Sequence, residues 1–112
     1  MTKIGEGNTP PQEPTIDTYK QQLDASSTKF LKALEDYNQS KSSDQQKHFK
    51  AVMDQQMSVI NSSIAELNKK GMHKDAMKVS KDYKDYIEEE TPSNYTCLRN
   101  DVETLRDLNK SL

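Results

Sequence analysis

Apolar residues in this chain fall into four series with steps of three and four, the spacing that lays side chains along one face of an α-helix. The clearest pair lies between Asp44 and Glu90. Phe49, Met53, Met57, Ile60, Ile64 and Leu67 recur at steps of 4, 4, 3, 4 and 3, and Met72, Ala76, Val79, Tyr83 and Tyr86 at steps of 4, 3, 4 and 3. Upstream, Ile16, Tyr19, Leu23, Ser26, Phe30, Ala33 and Tyr37 form a third series, widened by Leu34. Ser26 and Ala33 are small, so this face either approaches a neighbour closely or packs weakly there, and Leu31 falls off the stripe toward solvent. Tyr95, Leu98, Val102, Leu105, Leu108 and Leu112 form the fourth series. No stretch alternates convincingly with the period of a strand, so the chain is expected to be all-α.

The residues between the series fix where helices start and stop. Thr15 after Pro14 suits an N-cap, with Asp17 in the first turn of a helix that ends near Asn38 or Gln39. Ser40 to Ser43 is a polar turn, and Ser43-Asp44-Gln45-Gln46 fits the capping-box pattern with Ser43 as N-cap. The second helix is expected to reach Lys70. There Lys69 and Lys70 complement its negative end, and Gly71 closes it in the left-handed conformation. The third runs from Met72 or His73 to Glu89. Glu88, Glu89 and Glu90 are unfavourable at the end of one helix but favourable before the start of another. Thr91-Pro92 supplies that start, with Pro92 in the first turn, where its missing N–H costs nothing.

Connections as short as 40–43, 71 and 90–92 favour antiparallel neighbours. The predicted architecture is an up-down bundle of three to four helices built on antiparallel αα-hairpins. An alternative keeps the second and third helices continuous through Gly71, since one glycine costs only about 1 kcal/mol within a helix; the product would be a coiled-coil-like rod. The segment Lys69-Lys70-Gly71-Met72-His73-Lys74-Asp75-Ala76 resembles the turn inside a tetratricopeptide repeat. There a glycine ends one helix and a small residue five positions later packs the next helix closely. The likeness covers one hairpin, no second copy follows at the repeat's period, and the next helix overruns the position of the repeat's proline. What it implies is shared hairpin geometry.

Composition narrows the picture. Leu, Ile, Val and Phe make about 17% of the chain, below the ~20% that accompanies disorder when net charge is also high, but the net charge is only −2. Periodic spacing of so few apolar residues points to a folded helical domain with a thin core, completed by a partner if its own stability falls short. Residues 1–14 hold Gly5, Gly7, Pro10, Pro11 and Pro14 with little to bury, and are expected to form a flexible tail ahead of a single helical domain over 15–112. The near balance of 16 basic and 18 acidic residues argues against a dedicated nucleic-acid binder. No apolar run approaches a bilayer span, and the N-terminus lacks the apolar core of a Sec-type signal. With Cys97 the single cysteine, a reducing compartment, the cytoplasm, is expected. The sequons at Asn38, Asn61, Asn94 and Asn109 are read as chance matches in a chain rich in Asn and Ser.

Candidate chemistry is sparse. His48 and His73 are the two histidines and sit on different helices, short of the three or four converging ligands of a zinc site. Cys97 has no histidine near it to activate its thiol, and its place beside Leu98 predicts partial burial. Carboxylates are plentiful, but few loops exist from which to build a pocket that would shift one. No catalytic activity, metal or cofactor is therefore expected. Lys70, Lys74, Lys78 and Lys81, extended by His73, form a basic stripe that could dock an acidic helix or phosphate groups, diluted by Asp75, Asp82 and Asp85. Met53, Met57, Met72 and Met77 cluster on the central hairpin, as core filler or as an adaptable docking groove. Tyr83, Tyr86 and Ile87 form the densest aromatic patch in a chain without Trp.

The expected function is a non-catalytic protein–protein interaction module that binds partner helices through apolar helix faces, as a small chaperone, co-chaperone or adaptor does, one of a bacterial secretion system included. The alternative is a self-assembling structural bundle or rod. Met53, Met57, Ile60, Met72, Tyr83, Tyr86 and Ile87 are the residues expected to form the core or the contact.

Overall fold

Each apolar series forms one helix. The computed structural model describes residues 16–67 and 70–111, which build α1 (Ile16–Gln39), α2 (Ser43–Leu67), α3 (Lys70–Glu88) and α4 (Pro92–Ser111). The expected tail at 1–14, the Thr15 cap, Lys69 and Leu112 lie outside the described residues.

Side-chain bonds between helices show the up-down course directly. At one end Tyr37 donates to Glu90 Oε2 at 2.7 Å and Tyr86 to Asn38 Oδ1 at 2.8 Å, joining the ends of α1 and α3 to the α3–α4 turn. At the other end Asn109 Nδ2, in the last turns of α4, donates to the Lys20 carbonyl of α1 at 2.8 Å. Between them, Ser80 meets Met57 Sδ at 3.7 Å and Tyr83 meets Asp54 Oδ1 at 2.5 Å, so α3 runs back along α2. The continuous rod is thereby corrected to an antiparallel hairpin. Among the described residues the backbones touch only around the ring α1–α2–α3–α4–α1, the arrangement of an antiparallel four-helix bundle. Among the described residues, of the adjoining pairs α1 and α2 share the most extensive backbone contact and α2 and α3 the least. Ser26, Ala33 and Ser63 are buried on α1 and α2, where their small side chains permit that approach.

Caps account for the helix boundaries and correct two expectations. The N-cap of α2 is Ser42, one residue earlier than expected: its Oγ accepts the Gln45 N–H at 3.3 Å and its carbonyl accepts the Gln46 N–H at 3.0 Å. Gln45, the third residue after this cap, accepts the Ser40 hydroxyl at its Oε1 at 3.1 Å. Thr91 caps α4 as its sequence predicts, with Oγ1 accepting the Asn94 N–H at 3.1 Å. Asn94 then turns its own amide back, donating to the carbonyls of Glu89 at 2.9 Å and Asp85 at 3.4 Å, and so satisfies acceptors at the end of α3.

Gly71 does not close α2. It is the second residue of α3, its φ lies outside the left-handed region, and a Cβ built on it meets nothing within 4 Å. Gly71→Ala is therefore expected to stabilise the fold by about 0.4–1 kcal/mol, because alanine narrows the unfolded ensemble at no steric cost. Urea unfolding of the two proteins checks this, and a lower midpoint for the alanine variant would contradict it.

The core runs the length of the bundle, with Leu23, Phe30, Leu34, Met53, Ile60, Val79, Tyr86, Leu98, Val102 and Leu105 fully buried. On α4 the inward series continues from Leu105 to Asn109, whereas Leu108 is 39% exposed. That step of four, after steps of four and three, keeps the stripe in line. The Lys20 carbonyl accepts from the Asn109 Nδ2, while the Asn109 Oδ1 is buried without a partner among the described residues. Leu31, expected to be exposed, is half-buried against the core.

Candidate functional site: helix faces and surface clefts

Among the expected core or contact residues, Met53, Met57, Ile60, Met72 and Tyr86 are buried in the core, and Tyr83 and Ile87 are half-buried against it. The methionine cluster is therefore divided. Three of its members fill the interior, while Met77 stands 75% exposed on α3. A surface groove lined by all four does not exist, because Met53, Met57 and Met72 are buried in the interior while Met77, one residue past the buried Ala76, is turned about 100° from it toward solvent.

The tyrosines act as fasteners between helices. The Phe30 and Tyr83 rings meet edge to face at 5.4 Å, linking α1 to α3 across the bundle. Tyr37 and Tyr86 meet at 5.8 Å, and Tyr86 meets Tyr95 at 6.0 Å, binding α1, α3 and α4 at one end. Burial raises the Tyr37 phenol to about 12, assisted by the Glu90 carboxylate that accepts its hydrogen bond. Burial raises Tyr83 too, and its hydrogen bond to Asp54 adds to the effect. Burial likewise raises Tyr86, followed by the charge of Glu90. Burial alone would raise Asp54 as well. The Tyr83 hydroxyl and the Lys50 ammonium, 3.0 Å away, outweigh it and hold the carboxyl below its ordinary value.

Clefts open where helices diverge at the surface. One of about 380 Å³ lies between α1 and α2, lined by Ala33, Phe49 and Val52 and rimmed by Lys29, Lys32, Asp36 and His48. A second of about 380 Å³ lies between α2 and α3, lined by Asn61, Ile64, His73, Ala76, Met77 and Ser80. A smaller one of about 260 Å³ lies farther along the same seam, between Lys50, Tyr83, Lys84, Ile87 and Glu88.

The basic stripe is rearranged relative to expectation. Lys78 turns toward α4, where its ammonium lies 3.4 Å from Asp101, and Lys81 lies 3.7 Å from Asp85. Asp75 and Asp82 stand three and four residues from Lys78, hence on that same α4 side, and both are half-buried. They dilute the stripe less than the sequence implies. His48 and His73 are both exposed, and among the described residues no group of three His, Cys, Asp or Glu side chains could hold a metal ion. Cys97 is exposed, contrary to its expected partial burial, because one residue of helix turns it about 100° from the inward position of Leu98. Among the described residues no helix is long and apolar enough to cross a membrane.

No protein-family model, no curated protein and no solved structure matches this chain. The resemblance at Gly71 to a tetratricopeptide turn is limited accordingly: Ala76 is buried as the likeness implies, but the glycine lies inside α3 instead of ending α2.

Proposed function

We propose that this protein is a non-catalytic interaction module that binds a partner helix in a groove between its own helices, the mode of action of an adaptor or small chaperone. The observation that supports it is the pairing of a closed core with open apolar grooves. The buried series of all four helices satisfy one another, yet apolar side chains still line clefts at the α1–α2 and α2–α3 surfaces. A groove of that shape between parallel ridges receives one side of an amphipathic helix. The alternative of a self-assembling rod loses its main support with the antiparallel α2–α3 hairpin.

Isotope-labelled protein titrated with amphipathic helical peptides tests this by NMR. Saturable shifts confined to one groove, in Phe49 and Val52 or in Ile64 and Met77, are the expected result. Absence of saturable shifts with peptides of acidic, neutral and basic polar faces would refute it.

A further inference from the structure

We propose that the groove between α2 and α3, together with the outer face of α3, binds an acidic amphipathic helix of another protein. The proposal rests on the reading of this bundle as a helix-binding module, and adds which surface is used and what polarity the partner has.

Shape is the first support. Among the described residues the α2–α3 pair has the least backbone contact of the adjoining pairs, and the cleft beside it has Ile64 and Ala76, both buried, at its floor. Met77 stands at its rim, the most exposed large apolar side chain among the described residues. A thioether on three rotatable bonds can fold over whatever apolar side chain enters the cleft.

Charge is the second support, and it separates the two walls. The carboxylates Asp75 and Asp82 and the Lys78–Asp101 pair all lie on the α4 side of α3. The outward side carries His73, Lys74, Lys81 and Lys84, spaced within one turn of Met77 or two turns along from it, together with Asp85, which pairs with Lys81, and Glu88 at the far end of the seam. Among the described residues neither Lys74 nor Lys84 has a carboxylate at ion-pair distance. Across the cleft, α2 carries no ionisable residue from Gln55 to Ala65, in a chain that is 30% charged. Beside the cleft, at His73 and Lys74, the α3 wall is basic and the α2 wall neutral, on a protein whose net charge is −2. A helix with an apolar stripe and carboxylates along one flank matches both walls at once, and charged residues are depleted where such contacts are centred. A polyanion such as nucleic acid would engage the lysines without using Met77 or the cleft. A bilayer surface would leave the recessed Ile64 and Ala76 out of reach.

The test is fluorescence anisotropy of a labelled helical peptide with a leucine stripe flanked by glutamates, titrated with the full chain. Saturable binding is expected, weaker by about tenfold or more, a change of one decade in Kd, for the same peptide with lysines replacing the glutamates. Met77→Asp and the double variant Lys74→Glu/Lys84→Glu should each weaken it about as much, and added salt should weaken it further. These positions are exposed, so circular dichroism should show the helices intact. Equal binding of the lysine peptide, or affinity unmoved by Met77→Asp, would overturn the proposal. So would tighter binding of duplex DNA or phosphatidylserine vesicles that ignores Met77. If the glutamate peptide binds but shifts the NMR signals of Phe49 and Val52 instead, this proposal fails and the broader helix-binding function stands; if no amphipathic peptide binds at all, both fail.

Discussion

Tyr86→Ala is expected to destabilise the protein by about 3–5 kcal/mol, the range for truncating a buried aromatic side chain. Tyr86 is fully buried at the end of the bundle where three helices meet. Its ring touches those of Tyr37 on α1 and Tyr95 on α4, and its hydroxyl donates to Asn38. Alanine removes all of these contacts and leaves a cavity that three rigid helices cannot collapse to fill. For a small domain with ~5–15 kcal/mol in hand, that is a large fraction of the whole. Tyr86→Phe keeps the ring and loses one hydrogen bond, for a cost of about 0.5–1.5 kcal/mol. Urea unfolding of both variants checks the account. A loss below 1 kcal/mol for the alanine variant would show that the aromatic junction contributes little.

The second large effect is alkaline. Tyr37, Tyr83 and Tyr86 are all raised, chiefly by burial, with Tyr37 at about 12. In the unfolded chain each titrates near the ordinary phenol value of about 10. Above that pH the unfolded state loses protons that the folded state keeps, so the folded state binds more and stability falls as pH rises. The contribution is complete below the unfolded value and disappears as pH climbs through the folded ones. The urea midpoint should therefore drop steeply from about pH 10 upward, and Tyr37→Phe should flatten the drop because phenylalanine has no proton to lose. An identical pH profile for the wild type and Tyr37→Phe would contradict this. On the acid side the sign reverses for Asp54. Its lowered carboxyl contributes stability above the ordinary carboxylate range and loses it as pH falls through the folded value, an effect screened by the exposure of that side chain.

Helix content and order were legible in the sequence because four apolar series share one period and helices need little else to declare themselves. Where expectation and structure part, short-range competition between neighbouring residues is the cause. Ser42 and Ser43 are equally good caps by composition, and the choice falls to whichever places its carbonyl and hydroxyl toward Gln45 and Gln46. Gly71 reads as a terminator from one side and as a tolerable helix residue from the other, and its open surroundings permit the second. Leu108 and Asn109 compete for one inward position, and hydropathy favours the leucine. The asparagine takes it, and donates there to the Lys20 carbonyl, a partner that no local pattern could reveal.

The site was less legible than the fold. Periodicity places Met53, Met57, Met72 and Met77 in one cluster, but whether a methionine faces the core or solvent depends on the rotation of each helix against its neighbours. The lysine stripe is visible in sequence. Its separation from Asp75 and Asp82 is not, since the α4 contact at Asp101 is what defines that side of α3. The α2–α3 cleft likewise arises from spacing between helices that are remote in neither sequence nor pattern. Asn94 as a cap for α3 has a signal of a kind, an asparagine just past a Glu-rich helix end, but its reach back across the turn needs coordinates.

The proposed function requires a bundle that closes its own core within one chain, so that its surface grooves stay open. Light-scattering mass and circular dichroism, recorded together from dilute to concentrated solution, test that most directly. The prediction is a helical monomer of 12.8 kDa at every concentration, melting cooperatively. Helicity that rises in step with mass would contradict it, because the apolar series would then be pairing between chains and not within one.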